Sequence, residues 1–183
     1  MVTAEAFEAG AVSAYNQEFV LATAKDFKVG ENVVHPLRGV AEIVAIEEKQ
    51  LDGQRNTYYV LSMDNQTVWV PVKKADQIGL RPVISRRRLA SIIKILKSKA
   101  TPLEDDLRAR QAQIATRLTD RSLENMSELV RDLNGRAVSS KLNESDSNTL
   151  RRVKVLLVGE WAVACSISRA EAEQQLEATL RPS

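Results

Sequence analysis

Arg81-Pro82-Val83-Ile84-Ser85-Arg86-Arg87-Arg88-Leu89 divides this sequence into two halves with different hydrophobic periods. Upstream of it, short β-branched runs recur. Val33 and Val34 precede Pro36, Val40, Ile43, Val44 and Ile46 follow, and Thr57 to Leu61 and Val68 to Val72 form two more. β-branched side chains pack well on a pleated surface, so these runs read as strands. Asp52-Gly53 is a strong hairpin signal, because a type I′ turn needs positive φ at both central residues. Asp64-Asn65 is a weaker one, and Gly30 and Gly39 mark further bends. Pro71 cannot donate to a ladder, so it ends a strand or lies on an edge. Several short strands in close succession predict a compact, strongly bent sheet or small barrel.

Downstream of the divide the period is helical. Ser85 can cap a helix carrying Leu89, Ile92, Ile93 and Leu96 on one face. Thr101-Pro102-Leu103-Glu104 has the form of a capping box with Pro at the first helical position, opening a helix with Leu107, Ile114 and Leu118. Ser122 precedes a third helix carrying Leu123, Met126, Leu129, Val130 and Leu133, which Asn134-Gly135 is expected to stop. A fourth helix is expected from about Ser147 to Ala164, with Leu150, Val153, Leu157 and Trp161 on one face. Ser168-Arg169-Ala170-Glu171 is a second capping box and starts a final helix. The expected fold class is therefore α+β in two domains. A small β-rich domain spans residues 26–83 and an all-α bundle of about five short helices spans 84–183. The Ala-rich residues 1–25 are expected to be a mobile tail, with a short helix around Ala4 to Ala14 as one option.

Composition narrows the function. The chain has 183 residues, of which 44% are hydrophobic and 27% charged, enough to bury a core while carrying a charged surface. Its single Cys165 excludes an intrachain disulfide and fits a reducing cytoplasm. A hydrolase triad would have to use the single His35 as its base, and that residue is expected to be a turn or surface histidine beside Pro36; a zinc site from His35 and Cys165 would still need carboxylates, and no ligand spacing supports one. No apolar run approaches the roughly 18–20 residues of a membrane span. The start lacks a basic region and is interrupted by Glu5, Glu8 and Glu18, unlike a signal peptide. No phosphate loop or dinucleotide fingerprint is present. Glu104-Asp105-Asp106 suits a helix first turn, where negative charge is favourable. These observations point to a binding protein without metal or cofactor, not an enzyme.

Charge placement says more than the net charge of +2. Arg86, Arg87 and Arg88 stand together, followed by Lys94, Lys97 and Lys99. Arg108, Arg110 and Arg117 follow on the next helix, and Arg151, Arg152 and Lys154 form a third group. Clustered cations can neutralise phosphates and release counterions. A solvated helix face is an equal reading of the same pattern.

The stretch Phe27-Lys28-Val29-Gly30-Glu31-Asn32-Val33-Val34-His35-Pro36, then Gly39-Val40, resembles the opening of the CarD/CdnL family. Glu31 replaces the usual Asp there and His35 the usual Tyr. Val70-Pro71-Val72 with Ile78-Gly79-Leu80-Arg81, Glu128-Leu129-Val130-Arg131-Asp132-Leu133, and Leu156-Leu157-Val158-Gly159-Glu160 resemble later family segments in the same order. The resemblance implies a Tudor-like β-domain that binds the β-subunit lobe of bacterial RNA polymerase. It also implies a helical domain that touches promoter DNA, backbone and minor groove, at the upstream edge of the bubble and so stabilises the open complex. Polymerase-contacting positions of the family fall on Lys49, an Arg in relatives, and on Trp69, which replaces the usual Arg. Val68, Val70 and Pro71 flank Trp69 on the same strand, and Val68 and Val70 are expected to face the other side of the sheet. Trp69 is read as an interface anchor, with covering of the sheet as the other option. The family's minor-groove wedge, a Trp, falls on Leu107, which is apolar but smaller. Arg108 and Arg110 fall where relatives carry DNA-contacting cations, joined here by Arg86, Arg87, Arg88 and Arg117. Trp161 is expected to pack in the core, and Arg131 with Glu160 to pair inside the bundle. The implied setting is cytoplasmic, on the nucleoid through polymerase, as a monomer. An alternative is a polymerase-docking adaptor that recruits another protein without touching DNA. Transcription-repair coupling factor shares the docking module, but its helicase motifs are absent from this sequence.

Overall fold

The computed structural model describes residues 26–51, 54–63, 66–120 and 122–181. The expected tail at 1–25 and the two turn dipeptides, Asp52-Gly53 and Asp64-Asn65, lie outside the described residues. The architecture is α+β in two parts, an antiparallel sheet followed by helices. Strands β1 (Asn32–His35), β2 (Gly39–Leu51), β3 (Gln54–Met63), β4 (Gln66–Pro71) and β5 (Arg81–Pro82) are hydrogen-bonded in the order β4-β3-β2-β1-β5. Strand β4 is thus an edge, with Pro71 as its last residue, where its missing N–H costs nothing.

Cross-strand register explains the core. Ile43, Leu61 and Val68 stand opposite one another, as do Ile46, Tyr59 and Val70. Directly opposed residues share a face. Ile43, Leu61, Tyr59 and Val70 are buried there with Val33, Ala41, Phe27 and Leu80. The Phe27 ring meets Tyr59 edge-on at 5.7 Å, and the Phe27 amide donates to the Tyr59 hydroxyl at 3.2 Å. A bulge between Ile43 and Ala45 then shifts the register of β2. Without it, residues 43, 45, 47 and 49 would share one face. With it, Ala45, Glu47 and Lys49 point to the outer face, opposite the core.

Between β4 and β5 the chain makes a 3-10 turn (Val72–Lys74) and a short helix α1 (Ala75–Ile78), which the strand reading of residues 27–83 did not foresee. Gly79 ends α1 in the left-handed region at φ 86°, and its amide reaches back to the Ala75 and Asp76 carbonyls.

Five helices follow: α2 (Arg86–Lys97), α3 (Leu107–Asp120), α4 (Leu123–Ser139), α5 (Glu144–Cys165) and α6 (Arg169–Leu180). Ser85 caps α2 by accepting from the Arg88 amide, Ser122 caps α4, and the predicted capping box of Ser168 and Glu171 opens α6. Leu89, Ile92 and Leu96 of α2 pack with Leu129, Val130 and Leu133 of α4, Val153, Leu157 and Trp161 of α5, and Leu176 of α6. Trp161 is in the core as expected, its Nε1 donating to Gln175 at 3.0 Å.

Three helix boundaries differ from the sequence reading. Thr101 to Asp106 is not helical: the Thr101 amide donates to Asp132 at 2.7 Å, and Leu103 drops into the core. Helix α3 starts instead at Leu107, with the Asp106 carboxylate accepting from the Ala109 amide at 2.9 Å. Helix α4 runs through Gly135 to Ser139. That glycine does not stop the helix but makes room, since a Cβ on it would stand 2.5 Å from the Ala100 Cβ. Helix α5 begins earlier than expected, capped by Asn143. The expected Arg131–Glu160 pair does not form either. Arg131 pairs with its neighbour Asp132, and Glu160 binds Arg81.

Candidate functional site

The outer face of the sheet carries the first group of candidate residues. Ala45, Val60 and Trp69 lie in one cross-strand row and Glu47, Tyr58 and Pro71 in the next. Trp69 is 43% exposed on edge strand β4. The Lys49 ammonium sits 3.9 Å from its ring centroid. The Glu47 carboxylate accepts from Trp69 Nε1 at 3.4 Å and lies 3.5 Å from Lys49 Nζ. The three side chains close a triangle, with a cation on the negative face of an aromatic ring and an anion holding both. The group is solvent-exposed, so its internal ion pair contributes little to stability. Together the contacts favour one orientation of a large amphipathic ring. Val70 is buried and Val68 half-buried, so neither side chain is open to a partner. What β4 offers at those positions is its unpaired backbone edge. Ile46, on the core face of the longer β2, is 44% exposed. His35 is buried, not at the surface, with Nδ1 accepting from the Leu37 amide at 3.2 Å inside the β1–β2 turn.

The helices sort the basic residues into two kinds. Arg87, Lys94 and Lys97 are exposed, and with Ser91 they follow the spacing of one helical face of α2. Lys99 is exposed just beyond the helix, and Arg108 is exposed in the first turn of α3 beside Leu107, itself 46% exposed. The other candidates are engaged within the protein. Arg86 donates to the Ala164 and Cys165 carbonyls at 3.2 and 2.9 Å, where a cation suits the C-terminal end of α5. Arg88 forks onto Glu124 at 3.0 and 3.2 Å. Arg117 donates to Asp132 at 2.6 Å.

Arg110 is the clearest correction. It is 5% exposed, and its Nε donates to Asp146 at 2.8 Å. Its Nη1 reaches the Glu104 and Asp105 carbonyls at 2.8 and 2.9 Å. A guanidinium buried in this way holds the loop before α3 against the start of α5 and is turned away from a phosphate outside.

Asp132 anchors the same loop from α4, accepting from the Thr101 amide, Arg117 and Arg131. Burial alone would raise its pKa. The hydrogen bonds from the two guanidiniums and the amide outweigh that and hold the carboxyl below its ordinary value. Sequence reasoning gave no role to Asp132, Asp146 or Arg81. A signal was present for Asp146 and Glu160: both fall in register with Leu150, Val153 and Leu157 on the apolar face of α5. A carboxylate there requires a buried partner. Among the described residues, no group of three or more His, Cys, Asp or Glu side chains could hold a metal ion. No helix among them is long and apolar enough to cross a membrane.

Two family models match the chain in succession. The CarD-like/TRCF RID domain matches residues 27–84, and the CarD C-terminal domain matches residues 91–177. A protein of Bacillus subtilis (strain 168) named "Putative transcription factor YdeB" is 28% identical over 147 residues, covering 79% of this chain and 96% of that protein.

Proposed function

The chain belongs to the CarD-like family of transcription factors, and on that premise we propose that it regulates transcription by docking on the β-subunit lobe of bacterial RNA polymerase and contacting promoter DNA at the upstream edge of the bubble. In this reading the outer sheet face around Trp69 and Lys49, with the free edge of β4, is the polymerase-docking surface. The α2 stripe of Arg87, Lys94 and Lys97, with Arg108, lies along promoter phosphates, and Leu107 stands where an apolar wedge would enter the minor groove. The work is that of a non-enzymatic binding protein acting on polymerase in the cytoplasm. The observation that carries the reading is the exposed Trp69, its orientation favoured by Lys49 and Glu47, beside an unpaired strand edge. Rigid, half-exposed aromatics are the side chains on which interface energy concentrates, and an open strand edge supplies main-chain hydrogen bonds.

Trp69→Ala is expected to weaken binding to the polymerase β lobe by about 2 kcal/mol, roughly thirtyfold, as a hot-spot truncation does. A titration of the purified lobe with the two proteins checks this, and equal affinities would move the docking surface elsewhere. A second reading is an adaptor that docks on polymerase and recruits another protein without touching DNA. The burial of Arg110 and the pairing of Arg88 with Glu124 favour it, because they remove cations from the DNA-facing set.

A further inference from the structure

The two parts of the chain are joined by only three residues, Val83 to Ser85, between the end of β5 and the start of α2. Three residues could still act as a hinge. The contacts around them oppose this. Arg81, on edge strand β5, reaches into the helical part and forks onto Glu160 of α5, with Nη1 to Oε1 at 2.6 Å and Nη2 to Oε2 at 2.8 Å. The Ile84 amide, inside the connection itself, donates to the same Oε1 at 3.0 Å. The Glu160 side chain is 3% exposed, whereas Arg81 is 30% exposed. Ile84 also packs against the helical core. The carboxylate thus ties a strand, the connection and a helix together from a site that water barely reaches.

A second contact lies beside the first. Gly39 and Val40, at the start of β2, rest on α5. A Cβ on Gly39 would stand 3.1 Å from Leu156 Cδ2, and one on Gly159 would stand 3.9 Å from Val40 Cγ2. Gly39 has φ +86°, so its backbone as well as its small size suits this close approach. The two contacts join the sheet to α5 through different strands, β5 and β2.

From this geometry we infer that Arg81 and Glu160 are positioning residues that lock the β-sheet and the helical bundle at one angle, so that the docking face and the basic α2 stripe are presented to a polymerase–promoter complex as a single rigid bracket. The inference rests on the proposed function for its use, but the lock itself does not. Two flexibly linked binding surfaces gain only local concentration from each other. A fixed bracket does more, because docking one surface also orients the other and avoids the ordering cost that a mobile connection would pay. A bidentate guanidinium–carboxylate pair fits the purpose. It constrains direction as well as distance, which a purely apolar contact does less well.

The test uses the full chain in a Cys165→Ala background, with spin labels at Ser62 on β3 and Ser91 on α2, both exposed. The parent protein is expected to give one narrow distance distribution. Glu160→Gln removes the charge and one of the two parallel bonds, and is expected to broaden it. In parallel, Glu160→Gln is expected to bind the isolated polymerase lobe with unchanged affinity, while its effect on open-complex lifetime at saturating protein falls about fivefold, the lower range of site-to-site coupling. A purely structural role would lower folded fraction and lobe binding together, and would not separate them. If Glu160→Gln fails to fold, Arg81→Lys takes its place, since it keeps a cation on Glu160 but loses the planar fork. A broad distribution in the parent, a narrow one in the variant, or a broadened one with undiminished lifetime would each overturn the inference. A parent chain that ignores polymerase would sink the docking proposal instead, and the distance measurement would still decide the lock.

Discussion

Arg108 and Arg110 lie two residues apart on α3 and do opposite things. Arg108 is exposed, while Arg110 is sealed against Asp146 and two carbonyls. The difference was within reach of the sequence: Arg110 lies four residues before Ile114, on the face that turns inward as the helix enters the bundle. The family resemblance, which takes no account of helical phase, places it among the DNA contacts instead. Asp132 gives this scale a measurable consequence. Its carboxyl is held below the ordinary value near 3.8 in the folded protein. A group with a depressed folded-state pKa contributes stability that is present above its unfolded pKa and is lost as the pH falls through the folded value. The chain is therefore expected to lose stability as the pH drops below about 4, partly through this residue. Asp132→Asn is expected to be less stable at pH 7 by roughly 3 kcal/mol, because Arg117 and Arg131 lose a buried anion. Its stability is also expected to vary less with pH below that point. Urea titrations at a series of pH values compare the two, and parallel acid limbs would show that Asp132 is not the group responsible.

At the scale of elements, the segment before α3 shows how tertiary contacts override local signals. Thr101-Pro102-Leu103-Glu104 has the letters of a helix start, yet Asp132 takes the Thr101 amide and the core takes Leu103. The helix begins five residues after Pro102, on the Asp106 cap, which brings Leu107 and Arg108 to the tip of α3 as its first turn. Gly135 shows the same thing from the other side. Its lack of a side chain serves the approach of Ala100, not the end of α4. Since Leu107 is exposed at a helix tip mounted by Arg110, a larger apolar group there should not disturb the core. Leu107→Trp is expected to lengthen open-complex lifetime roughly two- to tenfold through added stacking worth about 0.5–1.5 kcal/mol. Dissociation kinetics of heparin-challenged promoter complexes measure it. No change in lifetime would mean that the α3 tip is not at the fork.

For the whole molecule, the arrangement of charge decides between a DNA-contacting regulator and an adaptor. Replacing Arg87, Lys94 and Lys97 together by Ala is expected to reduce the slope of log affinity against log salt for the polymerase–promoter complex by about 2–3, near 0.9 for each phosphate no longer neutralised. An unchanged slope would favour the adaptor. The sequence by itself determined the switch from strands to helices within residues 81–89, the α+β class, the succession of five helices after the sheet and many of the apolar residues inside the bundle, because hydrophobic period and caps are local properties of a chain. Ordered family segments between Phe27 and Glu160 also made the family legible. Only the tertiary structure decided which charges are free, since burial depends on what each helix packs against and not on its own letters. The β2 bulge is the plainest case. One extra residue between Ile43 and Ala45 turns Lys49 and Glu47 to the face of Trp69, and nothing in the spacing of those residues announces it. The fork of Arg81 onto Glu160 joins residues 79 positions apart. Folding alone brings such distant groups within a hydrogen bond.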